Sequence, residues 1–298
     1  MSILRTIDLT KRFRGTVALD RLNLDVPEGS VFALIGANGA GKTTAIKILM
    51  NIHQATSGTA EALGVDSRKL SPREFQQIGY VSENQDLPEW MTVGYFLAYL
   101  KPFYPTWDDA RADELLRQFE LPRNRKLKHL SRGMKMKAAL ASSLAYRPKL
   151  IVLDEPFSGL DPLVRDEFIE GLIESASEAT IFISSHDLSE IESFASHVGY
   201  LDRGKLRFSE EMTALSARFR EIEVTLDRAP VLPGNWPATW LRPETSAAVV
   251  RFVESQFEEA RTMAEVRKMF GEPRGVSITP MPLRSIFVTL AKAERRAA

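Results

Sequence analysis

The residues best equipped for chemistry sit at positions 36–44. Gly36-Ala37-Asn38-Gly39-Ala40-Gly41-Lys42-Thr43 fits the pattern G-x-x-x-x-G-K-[ST], the spacing of a phosphate-binding loop. Gly36, Gly39 and Gly41 let the backbone turn tightly, so that the N–H groups of Asn38, Gly39 and Ala40 converge on phosphate oxygens. A helix starting at Lys42 adds its positive N-terminal end at Thr43 and Thr44. Lys42 places a point charge against β- and γ-phosphates, and Thr43 offers a hydroxyl to Mg²⁺. A second group lies in Leu150-Ile151-Val152-Leu153-Asp154-Glu155, an apolar run ending in two carboxylates. Adjacent strand side chains point to opposite faces, but where the chain turns both can approach one ligand. Asp154 is placed to hold Mg²⁺, and Glu155 to orient or deprotonate an attacking water.

These loops need a frame. Val31–Ile35, Ile78–Val81, Leu150–Leu153 and Ile181–Ile183 read as buried strands. Helices are predicted over Lys42–Met50, Leu163–Ser175 and Asp187–Phe194, the second with Asp161 as N-cap and Pro162 at its first position. Strands alternating with helices predict an α/β fold with a mainly parallel sheet. A mostly helical block, about Thr92–Tyr146, interrupts it, with Thr106 able to cap a helix running to about Phe119. Beyond about Met212 the character changes. Glu221–Leu226 and Ala247–Val253 read as strands, separated by a turn-rich segment with Pro230, Pro233, Gly234, Pro237 and Pro243. Glu258–Phe270 reads as an amphipathic helix ended by Gly271 and Pro273. This predicts a small separate α+β domain.

Further segments, in their order along the chain, carry a family resemblance. Leu130-Ser131-Arg132-Gly133-Met134 resembles the ABC signature motif LSGGQ, with Arg132 for Gly and Met134 for Gln. Ser158-Gly159-Leu160-Asp161 resembles the D-loop, although Asp161 also serves as an ordinary N-cap. Ser184-Ser185-His186-Asp187 resembles the switch-histidine segment; His53, His129 and His197 have no such context. Ile78–Glu83 resembles the strand into the Q-loop, where the family usually has Gln. Glu83 is favoured for that role, with Gln85 its rival. Phe13 stands where an aromatic usually stacks on adenine.

Residues 3 to about 210 thus resemble the ATP-binding subunit of ABC transporters. The resemblance implies a P-loop NTPase core with antiparallel N-terminal strands, an ATP-binding domain over 1–211 with a helical subdomain at about 84–146, and an accessory domain over 212–298. It implies ATP and Mg²⁺ as ligands, Lys42, Glu155 and His186 as catalytic residues, and Thr43, Glu83 and Asp154 around the metal. Ser131 and Gly133 of one copy would close over the ATP held by a second copy or a homologous subunit. The implied partner is a separately encoded membrane permease, with the chain cytoplasmic and peripheral on the inner face of the cell membrane. The tail resembles the extension of a branch often engaged in export. The alternative is a soluble ABC-type ATPase acting on ribosomes or DNA, but neither a second cassette nor a long coiled coil is visible. A switch GTPase or small-molecule kinase fits less well: a guanine-reading N-K-x-D motif is absent.

Composition agrees with this frame. The 298 residues are 44% hydrophobic, which excludes global disorder. Lys+Arg and Asp+Glu both number 39, which argues against a chain that blankets nucleic acid. The absence of cysteine removes disulfides, thiol catalysis and cysteine-ligated metals, and fits a reducing compartment. No apolar run approaches the roughly 18 residues of a membrane span, and no secretory signal is expected.

Overall fold

The computed structural model describes residues 1–176, 178–230 and 235–297. It divides into two compact units, Met1–Ser209 and Glu210–Ala298. The first opens with strands β1 (Ser2–Phe13), β2 (Thr16–Pro27) and β3 (Val31–Ile35), then helix α1 (Lys42–Leu49). Strands β4 (Ser57–Ala62) and β5 (Val65–Asp66), the short helix α2 (Pro72–Phe75) and β6 (Ile78–Ser82) follow. Three helices then interrupt the strands: α3 (Val93–Leu100), α4 (Asp109–Gln118) and α5 (Arg132–Leu144). The chain returns through β7 (Leu150–Asp154), α6 (Pro162–Ser175), β8 (Thr180–Ser185), β9 (His197–Asp202) and β10 (Lys205–Glu211).

Two sheets organise this unit. An antiparallel sheet has the order β2-β1-β4-β5, and a six-stranded sheet has the order β10-β9-β3-β8-β7-β6. In the latter, β9, β3, β8, β7 and β6 are mutually parallel. The parallel strands are buried on both faces, which explains their unbroken apolar runs. Leu4, Leu22 and Leu24 of the antiparallel sheet pack with Phe32, Leu34, Val152 and Phe182 of the parallel one and with Ile46 and Leu49 of α1. Each such side chain contributes about 1.5–3 kcal/mol on burial. This layer holds α1, and with it the loop before α1, against the sheet.

Register decides where the chemistry sits. Ser82 of β6 lies opposite Asp154 of β7, which lies opposite Ser184 of β8. Ile35 of β3 lies opposite Ser185. The carboxyl ends of four parallel strands are therefore level, the place where open α/β sheets bind ligands.

Two expectations are corrected. The helix predicted over Asp187–Phe194 is only a single 3₁₀ turn, Leu188–Glu190. The Asp187 side chain accepts from Ser189 N, so local polar groups compete with helix propagation. Thr106 does not cap α4: Asp108 does, its Oδ1 accepting from Arg111 N at 3.0 Å, while Thr106 Oγ1 donates to the Tyr146 carbonyl. A carboxylate two residues nearer the helix takes the cap.

The second unit contains α7 (Met212–Arg218), β11 (Arg220–Thr225), β12 (Trp240–Ser246), β13 (Val249–Glu254), α8 (Glu259–Phe270), β14 (Gly275–Pro280) and α9 (Leu283–Ala297). Its antiparallel sheet has the order β12-β13-β11-β14, over a core of Ile222, Val224, Trp240, Phe252 and Val266. The turn-rich reading of 230–243 is corrected at its end, because β12 runs through Pro243. That strand lies on the sheet edge, with a register shift between Leu241 and Glu244, so a residue lacking an N–H is tolerated there. Pro233 and Gly234 lie outside the described residues.

Candidate active site

The loop between β3 and α1 borders a cavity of about 410 Å³. Asn38, Gly39, Ala40, Gly41, Lys42, Thr43 and Thr44 line it, with Glu83, Glu155, Ser158, His186 and Ala18. Gly41 has φ +112°, and a Cβ there would stand 2.5 Å from the Ala18 carbonyl. Gly36 has no room either: its Cβ would meet the Leu201 carbonyl at 2.3 Å. Gly36 and Gly41 are thus required by neighbouring backbone, and the loop is bent into a cradle.

Lys42 is 5% exposed, and its Nζ lies 3.0 Å from Glu155 Oε1. The same ammonium donates to the carbonyls of Gly36 at 2.5 Å and Ala37 at 3.3 Å. Glu155 Oε2 in turn stands 2.7 Å from His186 Nδ1. Lys42 at the start of α1, Glu155 after β7 and His186 after β8 form one ion-paired and hydrogen-bonded chain across the cavity. The Glu155 carboxylate raises the pKa of His186, the hydrogen bond between them being the main cause and burial opposing it. Glu155 has φ +52°, left-handed and costly for a non-glycine residue. Ser184 Oγ accepts from its backbone N–H at 3.0 Å. That turn lets consecutive carboxylates 154 and 155 serve one site.

Asp154 closes β7 and is 3% exposed. Its Oδ1 accepts from Thr43 Oγ1 at 3.0 Å and from Ser184 Oγ at 2.8 Å. Burial raises its pKa, and the two hydroxyls pull it back. Thr43, Asp154 and Glu83 offer hard oxygen donors. Among the described residues no group of three or more His, Asp or Glu forms a metal cage. A hydroxyl and a carboxylate joined at the cavity suit Mg²⁺, which keeps water and phosphate oxygens in its remaining positions. The residues present therefore fit both a polyphosphate and this cation.

The structure separates the rivals for the loop after β6. Glu83 lines the cavity, whereas Gln85 lines a different groove beside α3. Glu83 Oε1 accepts from Ser158 Oγ at 2.9 Å and from Arg132 at 2.6 Å. Ser131 and Gly133 do not line the cavity of their own chain. Ser131 caps α5, its Oγ accepting from Met134 N at 3.2 Å. Gly133 packs against α6, where a Cβ would meet Val164 at 2.5 Å. Phe13 is also outside the cavity lining; it is 41% exposed, with His53 edge-on at 6.0 Å and Lys11 over its ring at 4.8 Å. Ser158 opens the segment resembling the D-loop and Ser184 the switch-histidine segment, but the sequence assigns neither hydroxyl a role of its own. For Ser184 the available signal is the pair of hydroxyls closing the apolar strand 180–185.

Comparison with known proteins agrees with this geometry. The family model described as ABC transporter matches residues 19–158. The ABC transporter ATP-binding protein YtrB of Bacillus subtilis (strain 168) is 32% identical over 221 residues, 74% of this chain and 75% of YtrB. This chain belongs to the ABC transporter ATP-binding proteins. The bacitracin transport ATP-binding protein BcrA of Bacillus licheniformis is 35% identical, over 69% of this chain and 68% of BcrA. A solved ATP-binding subunit of an ABC transporter matches with TM-score 0.67 at 27% identity, covering 72% of this chain and 92% of that one. The chain is thus an ABC-type ATPase, a P-loop NTPase cassette that works in transport. The transport names favour that function over one on ribosomes or DNA. Among the described residues no helix is long and apolar enough to cross a membrane.

Proposed function

We propose that this ABC ATPase hydrolyses Mg-ATP between two facing copies and thereby drives a separate membrane permease, in the direction of export. The observation that carries the reading is the convergence of Lys42, Glu155 and His186 on the cradle at 36–44, beside the Thr43–Asp154 pair. Residues 1–211 form the ATP-binding domain, with 84–146 as its helical subdomain, and 212–298 the accessory domain of the extended branch.

The backbone amides of residues 38–44 and the α1 N-terminus hold the phosphates, and Lys42 exchanges its loop carbonyls and Glu155 for them. Phe13 offers an exposed ring to adenine. Thr43, Asp154 and Glu83 would hold Mg²⁺, which when bound would offset charge on the phosphoryl group in transfer. Glu155, released from Lys42, accepts the proton of the attacking water. His186 remains on Glu155 Oε2 and orients it. Ser131, exposed at the start of α5, caps the nucleotide of the facing copy.

A groove of about 470 Å³ lined by Ile52, Phe75, Gln85, Leu87, Leu100 and Tyr104 supports permease docking. Trp90, Tyr95, Tyr99 and Phe103, in or just before α3 and just after it, are each at least half exposed. Exposed aromatic surface of this density marks a protein partner. The partner keeps the chain peripheral on the inner face of the cell membrane. Relatives named for bacitracin transport and for lantibiotic transport, the latter SrtF of Streptococcus pyogenes, support the transport role, and the direction of export is read from the likeness of the tail to a branch often engaged in it.

Two measurements test the reading. The purified chain should release phosphate from ATP only with Mg²⁺, and Lys42→Ala should lose ATP binding; unchanged affinity in that variant would overturn the cradle. Detergent extraction should co-purify an integral membrane protein, and recovery of a ribosome or DNA instead would move the function elsewhere.

A further inference from the structure

Two of the three departures from the usual family motifs, Glu83 and Arg132, touch each other, while Met134 is the third. Glu83 stands where glutamine is usual and Arg132 where glycine is usual, 49 residues apart in sequence. In the fold, Arg132 Nη2 donates to Glu83 Oε1 at 2.6 Å. Ser158 Oγ donates to the same oxygen at 2.9 Å. Gly159 leaves room for the arginine, since a Cβ there would lie 2.9 Å from a guanidinium nitrogen. Both contacts use Oε1, and Oε2 makes no hydrogen bond among the described residues. The three residues belong to three separate segments, the loop after β6, the turn before α6 and the first position of α5.

Glu83 lines the nucleotide cavity together with Glu155, and Asp154 accepts from Thr43, which also lines it. A third carboxylate in a site for a polyanion works against binding, unless its charge is offset. The Arg132 guanidinium is the cation that meets it. A glutamine at 83 would need no such partner, and a glycine at 132 could not supply one.

We propose that Arg132 is a positioning residue for Glu83. It neutralises the carboxylate and, with Ser158, holds Oε1 so that Oε2 is presented to the cavity and its cation. The two unusual residues are one matched unit within a single chain. This rests on the reading of the cavity as the Mg-ATP site.

The experiment is a double-mutant cycle on the full-length chain. Arg132→Gln, Glu83→Gln and the double variant are measured for affinity toward a fluorescent ATP analogue with Mg²⁺, at protein concentrations that keep the chain monomeric. Arg132→Gln should weaken affinity about fivefold and raise the Mg²⁺ concentration needed for half-saturation. Glu83→Gln should tighten affinity severalfold more in the Arg132→Gln background than in the parent, and Arg132→Lys should recover part of the loss. Thermal stability checks that each variant is folded. Additive effects, or unchanged affinity in Arg132→Gln, overturn the proposal, as does a loss confined to turnover in the dimer. Lys42→Ala separates the two readings. If Lys42→Ala binds the analogue normally, the nucleotide site itself is misassigned. If it loses binding while the cycle is additive, only the Arg132–Glu83 unit fails.

Discussion

Replacing Glu155 by glutamine should have two opposite effects. Glu155 is the carboxylate common to Lys42, 3.0 Å from Oε1, and His186, 2.7 Å from Oε2. As the proton acceptor for water it should carry a general base's share of the rate, about 10²–10⁴-fold. Turnover of Glu155→Gln should fall by that factor. The same residue also pairs with Lys42. Both side chains are largely buried, at 5% and 13% exposure, so the contact is weakly screened. A charge-assisted hydrogen bond contributes about 1 kcal/mol more than a neutral one. An amide at 155 keeps the contact but loses the charge, so Lys42 should leave for phosphate more easily. One kcal/mol is about fivefold in affinity, and removing a negative charge from a polyanion site acts in the same direction. Calorimetric titration with a non-hydrolysable ATP analogue, alongside phosphate release under saturating Mg-ATP, measures both effects. Hydrolysis at the parent rate would remove Glu155 from the role of base. Slow hydrolysis with unchanged or weaker affinity would refute the argument that phosphate must displace Glu155 from Lys42.

Other outcomes follow from the same geometry. His186 should titrate by NMR above the ordinary 6.5 in the parent and move back toward it in Glu155→Gln. Because the folded pKa is raised, the pair's contribution is complete below about pH 6.5 and fades as pH rises through the folded value. A parent midpoint at or below 6.5 would refute the pairing. Ser131→Ala removes the cap of α5 and should cost about 1 kcal/mol of stability, read by denaturant midpoint. It should lower turnover while the monomer's ATP affinity stays near the parent's, and a large loss of monomer affinity would place Ser131 in its own chain's site. Gly41→Ala meets both a φ of +112° and the Ala18 carbonyl, so nucleotide binding should fall below detection. Retained affinity would show that the cradle tolerates a different backbone path.

Much of the site was legible because its demands are local. Gly41 and Lys42 are adjacent, and a loop of that spacing makes the same cradle wherever a strand precedes it and a helix follows. The apolar strands were visible for a related reason: a parallel strand buried on both faces must be apolar throughout. Local reading failed where neighbouring polar groups competed. Thr106 and Asp108 were both able to cap, and the carboxylate prevailed. Asp187 captured Ser189 N and left one turn where a helix was expected.

The sequence by itself pointed to the class of ligand, to four of the parallel strands and the helices after the first and third of them, and to the identity of the charged groups. Tertiary structure decided which of them meet. Thr43 and Asp154 are 111 residues apart, and their 3.0 Å contact exists only because β3 and β7 flank β8 with level carboxyl ends. The fold also puts Glu83 on the cavity beside Lys42 and Gln85 in the groove beside α3, a separation that the favoured reading of Glu83 in the sequence could not itself place in space. The pairing of Arg132 with Glu83 is of the same kind. Covalent neighbours constrain backbone shape over a few residues, whereas contacts between distant segments are selected by the packing of the whole sheet and its helices.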